Sequence, residues 1–173
     1  MFFRALSELV KEGVIGRQSF RARFVGPGVA LARSWAGKAG CEELLEAIPL
    51  VPHQEAMLEL KQATCLLFTQ KGDGGRRRLP EFLASRKPIL VFPPEFEQTM
   101  SDWVLRKYGA ATIIEPHKDI IKAVLTQWYS SFKAAGRLEF PVNEEVVQSF
   151  SAKHVAAALG EVLEEVIDGH RRK

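Results

Sequence analysis

The sequence predicts an α/β protein built on a doubly wound parallel sheet. Short apolar runs alternate with longer segments whose apolar residues recur at helical spacing, and this alternation continues along most of the chain. The run TCLLFT at residues 64–69 is apolar throughout, as expected for a parallel strand that helices cover on both faces. Strands and helices that alternate in this way form βαβ units and hence a parallel sheet.

Turn residues set the boundaries of the elements in the first half. Apolar residues at helical spacing end before Gly13, a short strand closes at Gly26-Pro27-Gly28, and Pro52 precedes a new helix. The predicted elements of this half are, in order, a helix over 2–10, a strand over 21–25, a helix over 29–35, a strand over 44–48, a helix over 53–62 and a strand over 64–69.

The second half continues the alternation as far as a break at 136–140. Its predicted elements are helices over 78–85, 98–107 and 119–134 and strands over 89–92 and 112–114. A short helix within 141–150 follows, and Ser151 then caps a final helix that runs through Val166. We expect residues 1–150 to form one domain, and residues 151–173 to form a C-terminal helix and basic tail that pack on it or cross from it.

Composition and charge narrow the class of ligand. The chain has 173 residues, of which 46% are hydrophobic and 26% charged, enough for one globular domain with a sizeable core. A formal net charge of +3 favours small anions over a long nucleic-acid track, which needs a broader basic face. Nucleic-acid binding through Arg76, Arg77 and Arg78 is a third hypothesis, but no aromatic residues are interleaved with these arginines.

The sequence offers no metal-ligand spacing and no membrane-spanning run. Cys41 and Cys65 have no neighbouring cysteine, so we interpret them as reduced thiols of a cytoplasmic protein, with a disulfide as the alternative. His117 and His154 have no partner at ligand spacing, and no metal is expected. No apolar run approaches the roughly 20 residues that span a bilayer. The start, MFFRALSELVKEG, is interrupted by charges and predicts neither a signal peptide nor an anchor.

The segment 71–92, KGDGGRRRLPEFLASRKPILVF, concentrates groups suited to a nucleotide sugar. It predicts a glycine-bearing basic loop, a helix opening around 79–81 and a buried strand over 89–92. Asp73 and Glu81 offer carboxylates for sugar hydroxyls, the three arginines offer guanidinium groups for phosphates, and a helix start offers free N–H groups.

This segment resembles the C-terminal, donor-binding domain of retaining glycosyltransferases of the GT-B fold, a Rossmann-like domain. The matching positions are Gly74-Gly75, Arg78-Leu79, Glu81-Phe82-Leu83-Ala84 and Lys87-Pro88-Ile89-Leu90. The segment VPHQEAMLELKQATCLLF is also similar to that family's base-contacting turn, helix and buried strand. The resemblance implies that the chain is the C-terminal half of a GT-B fold and binds a nucleoside-diphosphate sugar such as a UDP or GDP sugar.

The resemblance also implies a binding role for each of several residues. For each of them, a purely structural role is the alternative. Glu81 would accept hydrogen bonds from the ribose hydroxyls, or is a first-turn helix residue favoured by the helix dipole. Arg78 would pair with the pyrophosphate, or is a solvated surface arginine. Asp73 would face the donor sugar as the catalytic-site contact, or is a turn residue beside Gly74.

The remaining candidates belong to loops that should meet at one rim of the sheet. The amides of Gly74 and Gly75 and the motif residue Leu79 belong to the loop after the strand over 64–69. Two further strand ends should line the same rim, because ligands bind outside the carboxyl ends of parallel strands. These ends hold Gly26, Gly28, Pro52 and His53, of which His53 would lie near the base or is a polar residue at a helix start.

Departures from the family pattern shape the functional expectation. The family's first strand in this domain and its acceptor-binding N-terminal domain have no counterpart here, so we expect catalysis only with that domain or a partner chain. The apolar stripe of the last helix should pack partly on the domain and partly on a partner or a second copy. Arg86 replaces a glycine before Lys87-Pro88, where a left-handed helix end would be strained. The alternative function is a non-catalytic, flavodoxin-like regulatory or ligand-binding module.

Overall fold

The computed structural model describes residues 1–69, 74–93 and 100–171. Within these ranges, the side chains of residues 74–76 and 168–171 are not part of the description. Asp73, the predicted donor-sugar contact, and residue 98, the predicted start of a helix, therefore lie outside the described residues.

Helices and strands alternate as the sequence predicts. The helices are α1 Phe2–Lys11, α2 Val29–Ala39, α3 His53–Gln62, α4 Gly74–Ala84, α5 Met100–Tyr108, α6 Lys118–Ala135, α7 Glu144–Ser149 and α8 Ala152–Arg171. The strands are β1 Ala22–Val25, β2 Leu45–Ile48, β3 Leu66–Thr69, β4 Ile89–Phe92 and β5 Ala111–Ile113, and one short 3₁₀ helix, Glu42–Leu44, precedes β2. The α/β class is confirmed.

The strands form two small parallel sheets rather than the single sheet that was expected. β1 pairs with β2, with Ala22 opposite Leu45. β4 lies between β3 and β5, and Ile89 is the residue opposite both Leu66 and Ala111. All of these pairs are parallel, which confirms the predicted strand direction, but no described strand joins β1 to β3.

Two layers of apolar side chains hold the sheets. One core cluster joins α1, α2 and α6 to both sheets, and the other joins α4, α5 and α7 to the three-stranded sheet. Side chains of β4 alternate between the two faces of the sheet: Leu90 belongs to the first cluster, and Ile89 and Val91 belong to the second. Near-continuous apolar strands such as this one are typical of parallel sheets covered on both faces.

Helix α4 begins earlier than the sequence predicted. The motif led us to expect a loop through residue 77 and a helix opening around 79–81, but the helix already includes Gly74. Glu81 therefore lies in the interior of α4, which corrects its interpretation as a first-turn residue. Pro80 is also inside the helix, where its ring removes one backbone N–H donor. Because the helix starts early, the residues of its first turn, which carry the free backbone N–H groups, begin at Gly74 rather than at Leu79.

Arg86 has the left-handed backbone that the sequence predicted to be strained. Its φ is 55°, and it directly precedes the Lys87-Pro88 segment that leads into β4. The guanidinium donates to both carboxylate oxygens of Glu144 at 2.8 Å, but both side chains are about half exposed, so the pair contributes little stability. Glycine adopts this conformation without the steric cost that a Cβ imposes.

We expect Arg86→Gly to be more stable than Arg86→Ala by about 1 kcal/mol, because both lose the ion pair and only alanine keeps the Cβ at positive φ. Urea unfolding of the two variants measures this difference in the free energy of unfolding. At Lys133, an exposed residue within α6, the same pair of substitutions should give the opposite order. Equal stability of the two Arg86 variants would show that the backbone carries no strain at this position.

The apolar stripe of the last helix is about half exposed to solvent. Val155, Leu159, Val162, Leu163 and Val166 are each between 53% and 59% exposed. None of these five side chains is buried. α8 contacts α7, the short helix that precedes it, and continues from there to Arg171.

Candidate functional site

A cavity of about 770 Å³ lies between β1 and β3 and extends to the first turn of α3 and the middle of α4. Its polar residues include His53, Arg77, Arg78 and Glu81. Its apolar walls come from the strands and from side chains of α1, α3 and α6. Because α3 follows β2 in the chain, His53 at the start of α3 lies at the carboxyl end of a strand, where ligands bind in open parallel sheets.

The cavity brings together three residues that the motif comparison singled out. His53 Nδ1 lies 3.7 Å from Glu81 Oε1, too far for a hydrogen bond but close enough for an ion pair when the imidazole is protonated. Glu81 is about one-third exposed, so a ligand can reach its carboxylate. Arg78 is exposed and lines the same cavity, as does its neighbour Arg77. One carboxylate, two guanidinium groups and an imidazole therefore border a single space.

The other sequence-predicted residues have different positions. Gly26 has a φ of 118° at the end of β1 and lines the cavity. Gly28 and Pro52 are the residues that precede the first turns of α2 and α3. Leu79 is 4% exposed and belongs to the core cluster with Leu83, so its side chain packs inside the domain.

The two glycines of the motif begin α4. Gly74 and Gly75 form its first turn, and the helix dipole places partial positive charge at this end. Both residues follow β3 in the chain, as the motif requires.

An ion-pair network beside the cavity was not predicted from the sequence. Arg23 on β1 donates to the two carboxylate oxygens of Glu46 on β2 at 2.9 and 3.1 Å. Its Nη1 atom also lies 2.6 Å from Glu59 Oε2 on α3. This oxygen is buried, and it forms an ion pair with Arg23 although the angles of a hydrogen bond are not met. The hydrogen bond from Arg23 lowers the pKa of Glu46 and raises that of the guanidinium. The sequence feature that could have indicated this network is the charged residue Arg23 inside the predicted strand over 21–25.

This network positions α3 relative to β1. Arg23 links the strand that forms one wall of the cavity to the helix that carries His53 at its start. A fork-shaped guanidinium suits this role, because it can hold two carboxylates in fixed directions at once.

Both cysteines are free thiols in the first core cluster. Cys41 is 1% exposed, and its Sγ donates to the carbonyl of Phe3 at 3.4 Å. Cys65 immediately precedes β3 and lines the cavity, and burial raises the pKa of its thiol to about 11. Burial also raises the pKa of Cys41.

We expect both thiols to react slowly in the folded protein. With a pKa of about 11, Cys65 has about 200-fold less thiolate at pH 8 than a free cysteine, and only the thiolate attacks a disulfide reagent. Labelling with a chromogenic disulfide reagent at pH 8, with and without denaturant, measures this difference. Cys41→Ser and Cys65→Ser separate the two signals. Rapid labelling of Cys65 in the native protein would contradict the assigned burial.

Searches for other kinds of site and for relatives gave negative results. Within residues 1–69, 74–93 and 100–171, no group of His, Cys, Asp and Glu side chains could hold a metal ion. No helix of the described chain is long and apolar enough to cross a membrane. Comparisons of the chain with protein-family models, with curated proteins and with solved structures found no match. A functional proposal for this protein therefore rests on the side chains that border the cavity.

Proposed function

We propose that this chain is the donor-binding half of a glycosyltransferase, a Rossmann-like C-terminal domain of the GT-B type that binds a nucleoside-diphosphate sugar. The observation that supports this proposal is that His53 of α3 borders the same cavity as Arg78 and Glu81 of α4. These are the side chains to which the motif resemblance gives contacts with base, pyrophosphate and ribose.

Glu81 is the proposed ribose ligand. An ionised carboxylate only accepts hydrogen bonds, and its two oxygens can accept from the two adjacent hydroxyls of a ribose. The position of Glu81 inside α4 fixes its backbone, and the side chain remains about one-third exposed toward the cavity. His53, whose Nδ1 lies 3.7 Å from Glu81 Oε1, is the proposed contact with the base.

The arginines are the proposed diphosphate ligands. Arg77 and Arg78 carry two positive charges to the cavity, and a guanidinium can donate two parallel hydrogen bonds to a phosphate. The first turn of α4 at Gly74 adds backbone N–H donors and the positive end of the helix dipole. With these charges in place, the proposal includes no metal ion and no further cofactor.

Sugar transfer is proposed to require a partner that supplies the acceptor site. Catalysis needs donor and acceptor held together, and the cavity residues described here serve only the nucleotide. The half-exposed apolar stripe of α8 is the proposed contact with an N-terminal acceptor domain or partner chain. A cytoplasmic location belongs to the same proposal, since both cysteines are free thiols.

A second candidate is a flavodoxin-like module that binds a ligand and has no catalytic role. The composition of the cavity walls favours it, because apolar side chains make up more of the lining than charged ones do. The two candidates differ in the ligand, since only the donor domain should select a nucleoside diphosphate over an apolar compound.

We expect UDP, GDP or ADP to bind with a Kd near the millimolar range, which corresponds to only about 4 kcal/mol of binding free energy. Calorimetry and chemical-shift titration of the purified chain measure this affinity, with a single-stranded oligonucleotide as the control for general anion binding. Absence of both heat and shift changes with all three nucleotides would remove the donor-site proposal. Tighter binding of the oligonucleotide would favour the nucleic-acid hypothesis instead.

A further inference from the structure

Unpaired strand edges form two walls of the cavity. β1 pairs with β2 and β3 pairs with β4, and in the described part of the chain no strand pairs with the other edge of either. All four residues of β1 line the cavity, and so do Leu66, Leu67 and Thr69 of β3. Unpaired edges of this kind offer rows of N–H and C=O groups to an additional strand.

The backbone hydrogen bonds show which amides of β1 point into the cavity. Beyond the end of β1, the N–H of Gly26 donates to Ile48 O at 3.0 Å and so points toward β2. Successive residues of a strand direct their backbone polar groups to opposite sides. Arg23 and Val25 therefore direct their N–H and C=O groups away from β2, toward the unpaired edge.

The same reasoning applies to β3. The N–H of Leu66 donates to Pro88 O at 2.8 Å and so points toward the β4 side. Leu67 and Thr69 therefore direct their backbone groups away from β4, toward the cavity. Two sets of donors and acceptors, one from each sheet, thus border the same space.

Apolar side chains lie on the other two sides of the cavity, which charged residues of α3 and α4 also line. One is formed by Phe2 of α1 with Leu125 and Trp128 of α6, which belong to or pack on the first core cluster. The other includes Leu60, Ala63 and Phe82, which pack on the second cluster. An occupant of the space between these apolar side chains and the two strand edges is therefore apolar on two opposite faces and carries hydrogen-bonding groups along two opposite edges. A central strand of a parallel sheet has this combination of surfaces.

We propose that the cavity receives one extended apolar β-strand from a partner chain, which pairs with β1 along one edge and with β3 along the other. The strand has four to six Val, Ile or Leu residues and the parallel direction shared by the strand pairs of the described residues. It joins the two sheets into one. A hydrocarbon ligand would fill the space but leave the backbone groups of both edges without partners. This inference goes beyond nucleotide binding and does not depend on it.

The test uses the full chain and the synthetic peptide acetyl-Lys-Val-Ile-Val-Ile-Val-Lys-amide, below the concentration at which it aggregates. Hydrogen exchange followed by NMR gives the rate at each amide. We expect saturable binding and at least about tenfold slower exchange at Arg23, Val25, Leu67 and Thr69, because new ladder hydrogen bonds protect them.

Two controls separate strand insertion from general stickiness. The same peptide with alternate amides N-methylated has the same apolar side chains but cannot pair along one edge, so it should not protect both strands. Phe132→Glu, at the cavity wall, should weaken binding of the unmodified peptide, whereas Leu31→Glu, an exposed residue of α2 outside the cavity, should not.

Three outcomes would overturn the proposal. The first is unchanged exchange at all four amides at the highest soluble peptide concentration. The second is equal protection by the N-methylated peptide, which would indicate apolar filling. The third is protection of Ala111 and Ile113 in place of the β1 and β3 amides, which would indicate pairing with the outer edge of β5.

Discussion

Glu81→Ala is expected to weaken nucleoside diphosphate binding by about 1 to 3 kcal/mol, roughly 5- to 150-fold in Kd, because the ligand hydroxyls lose a charged acceptor. The effect is large relative to a total binding free energy of about 4 kcal/mol. Folding should survive, since the carboxylate is partly exposed and its distance of 3.7 Å from His53 Nδ1 is too long for a hydrogen bond. Calorimetry with the nucleotide that binds the parent chain best measures the change.

The ribose assignment has a chemical test within the same experiment. The 2′-deoxy form of that nucleotide should bind the parent more weakly but should lose little further affinity in Glu81→Ala, because the interacting pair is then already broken. Glu55→Ala, in the exposed first turn of α3 and outside the cavity, is the matched control for the loss of one negative charge.

Arg78→Ala separates the two parts of the proposed site. It should weaken nucleoside diphosphates while leaving the 2′-hydroxyl effect intact, because the guanidinium is assigned to phosphate. If Glu81→Ala binds as well as the parent while Arg78→Ala abolishes binding, the ribose role of Glu81 is wrong and its function is structural.

The isolated chain is expected to self-associate through α8. Val155, Leu159, Val162 and Val166 are separated by alternating steps of four, three and four residues, which is the spacing of a helix-pairing seam. All four side chains are more than half exposed, and apolar stripes of this size are seldom left bare on monomers. The pairing should be weak, because the seam covers only about two heptads.

Mass measurement by light scattering across a concentration series checks this prediction. We expect the mass to rise toward that of a dimer at tens to hundreds of micromolar chain. Leu159→Glu combined with Leu163→Glu should hold the protein as a monomer, because buried unpaired charges are costly. Ala157→Glu adds a charge to the opposite face of the helix and should leave association unchanged.

Two results would contradict the role assigned to α8. A chain that stays monomeric at all concentrations would show that the stripe does not pair with a second copy. Robust sugar transfer by that monomer would also show that no partner domain is needed, which would overturn the proposed half-enzyme.

The sequence by itself determined the order and type of the elements. Periodicity and turn residues placed α3 at residues 53–62 and β4 at 89–92, with the same bounds as the structure. These features are local, since a helical or strand period is a property of neighbouring residues. The unusual backbone of Arg86 was expected from the resemblance, in which a glycine stands directly before the Lys-Pro pair.

The tertiary structure decided what lies beside what. The separation of β1 from β3 depends on which strand edges meet, and no period along the chain encodes that choice. The joining of Arg23 to Glu46 and Glu59 depends likewise on contacts between distant residues. From the sequence we expected His53 and Glu81 only to lie on the same rim of the sheet. The two residues are 28 positions apart, so the distance between their side chains depends on how α3 packs beside α4.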